Sequence, residues 1–352
     1  MNNLFFINPI WDHKVFNWWN KFFDKFFNYK VLCDGEILWL DDRKDLYLSI
    51  WENKKINFKT NFIHTYKHKR KFTKKDILLI WDIFTNTLCY TIKKWERLYY
   101  SEFFLDGKPF IIKLIFYMMW FIFFHNKKFI LPHQLWYKTF KKISKNCLYL
   151  PILYNWDICY SKKNTYDTIN LLFVWRIDYS AKNVDFLIEN YLKLRENYNN
   201  INLTLVGKIS SQEFYKRHED SIKSWKIKHI ERVNNVDELW EIYAQNDIFI
   251  LPSIKEPIGA VIQESMAHGC AVLASDKCGW ACYIEEWKNW LIFNVNDSED
   301  FRNKLETLLN DIEKLKAFKK RSTDLIKEKY DITNDKLMKE YFDELNEFIF
   351  VK

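Results

Sequence analysis

Residues 247–275 read DIFILPSIKEPIGAVIQESMAHGCAVLAS: a short apolar run, a polar loop, a helical pattern and a second apolar run. Short apolar runs bounded by turn residues are typical of buried strands. Two strands that are connected through a helix lie parallel in one sheet. The stretch therefore predicts a strand, a helix beginning near Ile258 and a parallel strand.

The same alternation extends through the whole second half of the chain. Upstream come the strand-like runs INLLFVW from Ile169, INLTLVG and IKHIERV, with a helical pattern from Val184 and a helix around Glu238 to Ala244. Downstream, a helix is expected from about Gly279. We therefore expect an α/β, Rossmann-like domain, whose ligands lie beyond the carboxyl ends of the strands.

The loop after DIFIL combines residues that favour an anion site. Pro257 suits the first turn of a helix, Gly259 allows close approach to the backbone, and free amides at a helix start attract anions. Glu256 and Glu264 are eight residues apart, which predicts that they face the same side of the cleft. The alternative is a favourable acidic residue at a helix start and one solvated Glu.

The segment EPIGAVIQESMAHGCAVLASDKCG resembles the signature of GT-B glycosyltransferases of the large retaining family 4. The resemblance continues in order through LLFVWRIDYSAKN, LTLVGK, ELWEIYAQNDIFILPS and NWLIF, and covers roughly residues 169 to 295. It implies two Rossmann-like domains facing a cleft, with a C-terminal crossover helix. It also implies transfer of a sugar, with retained configuration, from a nucleotide-sugar donor to a lipid-linked, polysaccharide or other glycan acceptor.

The resemblance also implies roles for single residues. Arg176 and Lys182 match the basic pair that holds the donor diphosphate, Glu264 matches the carboxylate that binds the ribose, and Glu256 matches the one that faces the donor sugar. Further donor-binding positions are Gly207, Ile258, Gly259 and Ala260. No metal and no cofactor are expected, because the nucleotide-sugar is itself a substrate.

The first half of the chain resembles the family only faintly, through ILPHQLWYKTFKKIS and LYLPILYNWD. By position we expect an acceptor domain in residues 1–165, a donor domain in 166–330 and a returning C-terminal helix in 331–352, with an amphipathic pattern over 334–350. The candidates for an acceptor-side histidine are His64, His125 and His133, each of which has an ordinary structural role as the alternative.

Charge is distributed unevenly between the halves. Residues 1–165 hold 28 Lys and Arg against 14 Asp and Glu, although the whole chain carries only +8. The basic residues are densest from Lys54 to Lys75, which predicts either a solvated lysine-rich surface or attraction to an anionic membrane or acceptor. No nucleic-acid partner is expected, because no recognised motif accompanies the charge.

Composition excludes several protein classes. Hydrophobic residues make up 48% and charged residues 28%, which excludes long disorder, and the apolar run Leu114 to Phe124 is too short to span a bilayer. We expect a cytoplasmic protein, because no secretion signal is recognised. If the basic segment is attracted to anionic lipid, the protein would be peripheral at the inner membrane face. The 7 cysteines suggest reduced thiols, and Cys278 with Cys282 is only a weak metal signal.

The chain has 6 glycines and 16 tryptophans, an unusual ratio. Trp175, Trp280 and Trp290 stand where the family typically has glycine, and Trp18-Trp19 resembles a Gly-Gly loop. Trp175 would lie at the mouth of the phosphate site and Trp290 in a tight turn. We hypothesise that UGA encodes glycine in this gene; the alternative is genuine tryptophan in an aromatic-rich protein.

Other functions remain open at this point. A non-catalytic nucleotide-sugar-binding relative would lack a workable Glu256 or the basic pair, and both are present. A nucleotide-sugar epimerase of similar two-domain architecture is a further alternative. We therefore expect an active glycosyltransferase.

Overall fold

The computed structural model describes part of the 352-residue chain, namely residues 3–7, 28–33, 36–38, 77–80, 97–100, 128–131, 137–138, 141–142, 144–151, 153, 165–177, 180–224, 227–233, 235–254, 256, 260–278 and 290–350. The chain divides into two compact units. One comprises Met1–Asn155 with Ile332–Lys352, and the other is Trp156–Asp331. The acceptor and donor roles expected for these parts stay predictions.

In the first unit, the described strands form one sheet in the order β3-β2-β1-β4-β5-β6-β7. All neighbouring pairs are parallel except β2 and β3, which are antiparallel. The strands are β1 Asn3–Ile7, β2 Asn28–Cys33, β3 Glu36–Leu38, β4 Ile77–Ile80, β5 Arg97–Tyr100, β6 Lys128–Leu131 and β7 Cys147–Tyr149.

In the second unit, the described strands form an entirely parallel sheet in the order β10-β9-β8-β11-β12-β13. This order is that of a Rossmann domain. The strands are β8 Ile169–Val174, β9 Ile201–Val206, β10 Ile227–Ile230, β11 Ile248–Leu251, β12 Ala271–Ser275 and β13 Trp290–Phe293.

Four described helices lie between strands of this sheet, and three more follow β13. After a 3₁₀ turn at Ser180–Lys182 come α1 Val184–Arg195, α2 Gln212–Lys223, α3 Val236–Ala244, α4 Ala260–Ala267, α5 Ser298–Leu309, α6 Ile312–Lys329 and α7 Asp335–Phe350. Five of the described helices begin after a side chain that accepts a hydrogen bond from a first-turn amide, which stabilises the helix start. These caps are Ser211, Asn235, Asp297, Asp311 and Asn334.

The core of the second unit lies around its central strands. All four residues of β11 and all five of β12 are buried. Strands that are covered on both faces need continuous apolar runs rather than alternation, which explains why DIFIL and CAVLAS were recognisable in the sequence.

Several sequence expectations change in detail. β10 ends at Ile230, so only the first part of IKHIERV is strand, and the helix expected around Glu238 already begins at Val236. We expected Trp290 in a tight turn, and this prediction is wrong. Trp290 is the first residue of β13 and is 1% exposed. Its indole N–H donates to the sulfur of Met266 at 3.1 Å. The helix expected from Gly279 lies outside the described residues.

The last helix, α7, is amphipathic and belongs to the first compact unit. Its buried side is formed by Leu337, Met338, Leu345, Phe348 and Ile349. The ammonium group of Lys128, in β6, donates to the carbonyl of Ile349 at 2.7 Å, and so connects the end of the helix to the sheet of that unit. Among the residues that the structure describes, no helix is both long and apolar enough to cross a membrane.

Candidate functional site

The order of the strands locates a site in the second unit. β8 and β11 are adjacent, but the chain continues from β8 to one side of the sheet and from β11 to the other. Beyond the carboxyl ends of two such strands a crevice opens, which is where α/β sheets bind ligands. Trp175 and Arg176 follow β8 directly, and the segment from Pro252 follows β11.

A buried ion pair connects these two strand ends. The ammonium of Lys182, in the 3₁₀ turn, bonds to a carboxylate oxygen of Glu256, and the side chains are 5% and 7% exposed. The backbone holds both partners in place: the amide of Ile254 donates to the carbonyl of Ala181 at 2.9 Å, and Glu256 forms an isolated parallel bridge with Cys278. Burying two charges is costly, so the pair is weak evidence for stability alone.

The indole of Trp175 is a second partner of the same ammonium. The Nζ atom of Lys182 lies 4.3 Å from the centroid of the indole, within the range of a cation–π interaction. Trp175 is 36% exposed, whereas Lys182 is 4% exposed. Of the two predicted phosphate-binding cations, Lys182 is thus buried, whereas the Arg176 side chain is exposed.

Glu264, in α4, is buried at 4% exposure and is held by a residue that the sequence analysis missed. The hydroxyl of Tyr243, in α3, donates to a carboxylate oxygen of Glu264 at 3.1 Å. Burial, together with the negative charge of Glu264, raises the pKa of Tyr243 well above its ordinary value, so the phenol stays a donor. The signal in the sequence was a tyrosine on the buried face of the helix before DIFIL.

The two predicted acidic residues have different backbone settings. Glu264 is helical, whereas Glu256 lies in the extended bridge with Cys278, before α4 begins at Ala260. The helical spacing of eight from which we expected a shared face therefore does not apply to Glu256.

Gly207, which follows β9, is required by the backbone. Its φ is +147°, and a Cβ atom there would lie 1.7 Å from the carbonyl oxygen of Trp175. The Gly207 amide donates to the carbonyl of Ile230 at 2.9 Å. Glycine thus allows the ends of β8, β9 and β10 to approach one another, and it fixes the backbone from which Trp175 projects.

The other predicted positions are described only in part. Ala260 is the first residue of α4, whereas Ile258 and Gly259 lie outside the described residues. The acceptor-side candidates His64, His125 and His133, the basic segment from Lys54 to Lys75, Trp18-Trp19, Trp280 and Cys282 lie outside them as well.

Two further buried polar residues, Ser253 and Gln263, were not predicted from the sequence. Ser253, directly after Pro252, and Gln263, next to Glu264, are fully buried. The hydroxyl of Ser253 and both amide atoms of Gln263 have no hydrogen-bond partner in the described structure. Buried polar groups without a partner are uncommon in folded proteins.

The buried thiols of Cys278 and Cys270 are protonated at neutral pH and are therefore weak nucleophiles. Burial raises the pKa of Cys278 to about 12, and that of Cys270 also to about 12. Within the described part of the chain, no group of three or more His, Cys, Asp or Glu side chains is arranged to hold a metal ion.

Comparison with known proteins finds a family match for the segment that contains this candidate site. Residues 161–324 match the family model of glycosyl transferases group 1. Sulfoquinovosyl transferase SQD2 of Arabidopsis thaliana is 41% identical over 80 residues, which are 22% of this chain and 16% of that protein. The lipopolysaccharide core biosynthesis glycosyltransferase LpsE of Rhizobium meliloti is 31% identical over 75 residues, which are 21% and 22% of the two chains. The matched stretches thus span less than a quarter of these curated relatives.

The solved structure of Anabaena HepE in complex with UDP has the same fold. It superposes with a TM-score of 0.74 over 98% of this chain and 100% of that chain, at 13% sequence identity. An identity this low supports the fold alone, and this fold is the α/β architecture with two Rossmann-like domains expected from the sequence. The chain thus has the GT-B fold, and residues 161–324, within its second unit, match the glycosyl transferases group 1 family.

Proposed function

We propose that the protein is a retaining glycosyltransferase that moves a sugar from a nucleotide-sugar donor to a lipid-linked, polysaccharide or other glycan acceptor. The observation that carries the proposal is the buried Lys182–Glu256 pair at the carboxyl ends of β8 and β11, within the segment that matches the group 1 family. The pair presents a cation and a carboxylate side by side. In a sugar transfer, the cation would stabilise the leaving diphosphate and the carboxylate would face the sugar.

The proposal assigns a role in donor binding to each of the candidate residues. Arg176 and Lys182 would balance the charge of the leaving diphosphate, and the amides at the start of α4, near Gly259 and Ala260, would add to this. Glu264, held by Tyr243, would accept hydrogen bonds from the ribose hydroxyls. HepE, which shares the fold, has been solved with UDP and with UDP-glucose, so a uridine nucleotide is the first donor to test.

Glu256 would face the donor sugar. Its negative charge suits an oxocarbenium-like transition state, in which positive charge develops on the ring as the bond to the diphosphate breaks. The balance of phosphate charge by two side-chain cations is the reason for proposing a reaction without a metal.

The experiment is a donor panel. Full-length protein is incubated with UDP-, GDP- and ADP-sugars, and nucleotide release is measured with and without EDTA. We expect release from one class, insensitive to EDTA, and retained configuration in the product by NMR. Absence of release from every donor, with nucleotide binding intact, would favour a non-catalytic relative, whereas isomerised donor would indicate an epimerase.

Variants test the assigned residues. Glu256→Gln should abolish turnover and leave UDP binding largely intact, because Glu256 is assigned to the sugar. Arg176→Ala should lower kcat by about 10²–10³. Glu213→Gln, on the exposed surface of α2, is the matched control and should change neither. Full turnover in Glu256→Gln would refute the proposed site.

For the acceptor, we propose a lipid-linked or cell-envelope polysaccharide at the cytoplasmic membrane face. The support is the basic segment from Lys54 to Lys75 and the name of LpsE, which assigns that relative to lipopolysaccharide core synthesis. The protein should co-sediment with anionic vesicles and less so at high salt. Equal binding to neutral vesicles would contradict this.

We also propose that glycine replaces tryptophan at positions 175, 280 and 290 in the native protein, through UGA codons. The support is the low glycine count of 6 beside 16 tryptophans. At position 290 the alternative, a genuine tryptophan, is supported by the burial of the indole and its bond to the sulfur of Met266. The codons, or the mass of native peptides, decide each position separately.

A further inference from the structure

The side chain at position 175 controls what can reach Lys182. The ammonium of Lys182 bonds to Glu256 on one side and lies 4.3 Å from the Trp175 indole centroid on another. Lys182 as a whole is only 4% exposed, whereas Trp175 is 36% exposed. Of these two partners of the cation, Glu256 is buried and the indole is the exposed one.

A bound diphosphate would have to compete for this ammonium. A lysine ammonium has three N–H donors, and here at least one is directed to Glu256. A phosphate oxygen needs direct contact with another of these N–H groups. The exposed partner of the ammonium is the indole of Trp175. The attraction between the cation and the indole face would be lost when phosphate takes that place, which lowers the net affinity.

The indole can move away from Lys182 without backbone movement. The Trp175 amide donates to the carbonyl of Val206 at 3.0 Å, and the Trp175 carbonyl lies against Gly207. The backbone at position 175 is thus fixed at the end of the sheet. A change of side-chain rotamer is the motion that would expose Lys182.

We propose that the side chain at position 175 sets the affinity of the site for a diphosphate by covering or exposing Lys182. The inference rests on the proposed donor site. It applies to either residue at this position: tryptophan shields the ammonium, and glycine exposes it.

The test compares Trp175→Gly and Trp175→Phe with the tryptophan protein at full length. Two properties are measured: the acetylation rate of Lys182 without ligand, by peptide mass spectrometry, and the affinity for UDP, GDP, ADP and pyrophosphate, by calorimetry. Acetylation of Lys316, which is exposed on α6, is the internal control. Circular dichroism checks that each variant is folded.

In Trp175→Gly we expect faster acetylation of Lys182 and diphosphate binding about two- to thirtyfold tighter, the range that loss of one cation–π contact allows. Trp175→Phe keeps an aromatic face and should stay close to the tryptophan protein. The gain in affinity should disappear in Lys182→Met/Trp175→Gly, because the effect acts through Lys182.

Three results would overturn the inference. If Lys182 is acetylated equally fast with tryptophan and glycine, the indole does not cover it. If glycine speeds acetylation while UDP binds with unchanged affinity, Lys182 does not serve the diphosphate, although the donor site itself stands. If no diphosphate binds to any variant, the proposed function fails together with the inference, and the acetylation rates still report whether Trp175 shields Lys182.

Discussion

Replacement of Lys182 by methionine removes the positive half of the buried pair with Glu256. Because the two side chains are 5% and 7% exposed, water cannot replace the lost ammonium well. Removal of one partner from a buried ion pair typically costs about 3–5 kcal/mol. In a domain of this size, each kcal/mol lowers Tm by about 2–4 °C, so we expect a decrease of roughly 6–20 °C.

The assay is thermal unfolding of four proteins: the unaltered chain, Lys182→Met, Glu256→Gln and the double variant. The double variant contains no unbalanced charge and should recover much of the loss, so the two single effects should not be additive. The control is Lys316→Met, which removes the cation of the exposed pair with Glu313 and should leave Tm unchanged.

Two outcomes would refute this reasoning. A Tm for Lys182→Met equal to that of Lys316→Met would show that the Lys182–Glu256 pair is solvated rather than buried. Strictly additive losses in the double variant would show that the two side chains do not interact.

Three further predictions follow from other contacts. Tyr243→Phe removes the hydroxyl that donates to Glu264, and should cost about 1–3 kcal/mol in urea unfolding and weaken UDP binding; unchanged values for both would contradict the contact. Gly207→Ala places a Cβ atom against the Trp175 carbonyl at positive φ and should cost about 3 kcal/mol or more, or abolish soluble expression; a Tm equal to that of the unaltered chain would disprove the close approach. Burial raises the pKa of Cys278 from 9.0 to about 12, so the unfolded thiol ionises first: its contribution to stability is complete below pH 9.0 and is lost as pH rises toward about 12. Iodoacetamide should accordingly modify Cys278 at pH 8 only in urea, and rapid modification of the native protein would argue against burial.

Much of the second unit was predictable because its signals are local. β11 and β12 are continuous apolar runs, and a strand buried on both faces has no other pattern available. Pro257 and Gly259 marked the helix start because of their own backbone preferences. The short strands β1 to β7 of the first unit gave no comparable signal, and its α/β character came from the family resemblance.

Local sequence patterns were less reliable where tertiary packing decides the position of a residue. Trp290 was expected in a turn, because family members have glycine there, yet it is the first residue of β13, is 1% exposed and bonds to the sulfur of Met266. The spacing of Glu256 and Glu264 predicted that both face the same side of the cleft. Helical spacing cannot support that prediction, because the backbone at Glu256 forms a bridge with Cys278 before α4 begins.

From the sequence alone one could determine the fold class, the strand ends that form the candidate site and the residue types found there. Only the tertiary structure decided which of those residues meet. Lys182 and Glu256 are 74 residues apart in the chain, and Tyr243 and Glu264 are 21 apart. Side-chain periodicity reports which face of an element is buried, but not which neighbour that face meets. The partners are brought together by the strand order, which places the end of β8 beside that of β11, and by the packing of α3 near α4.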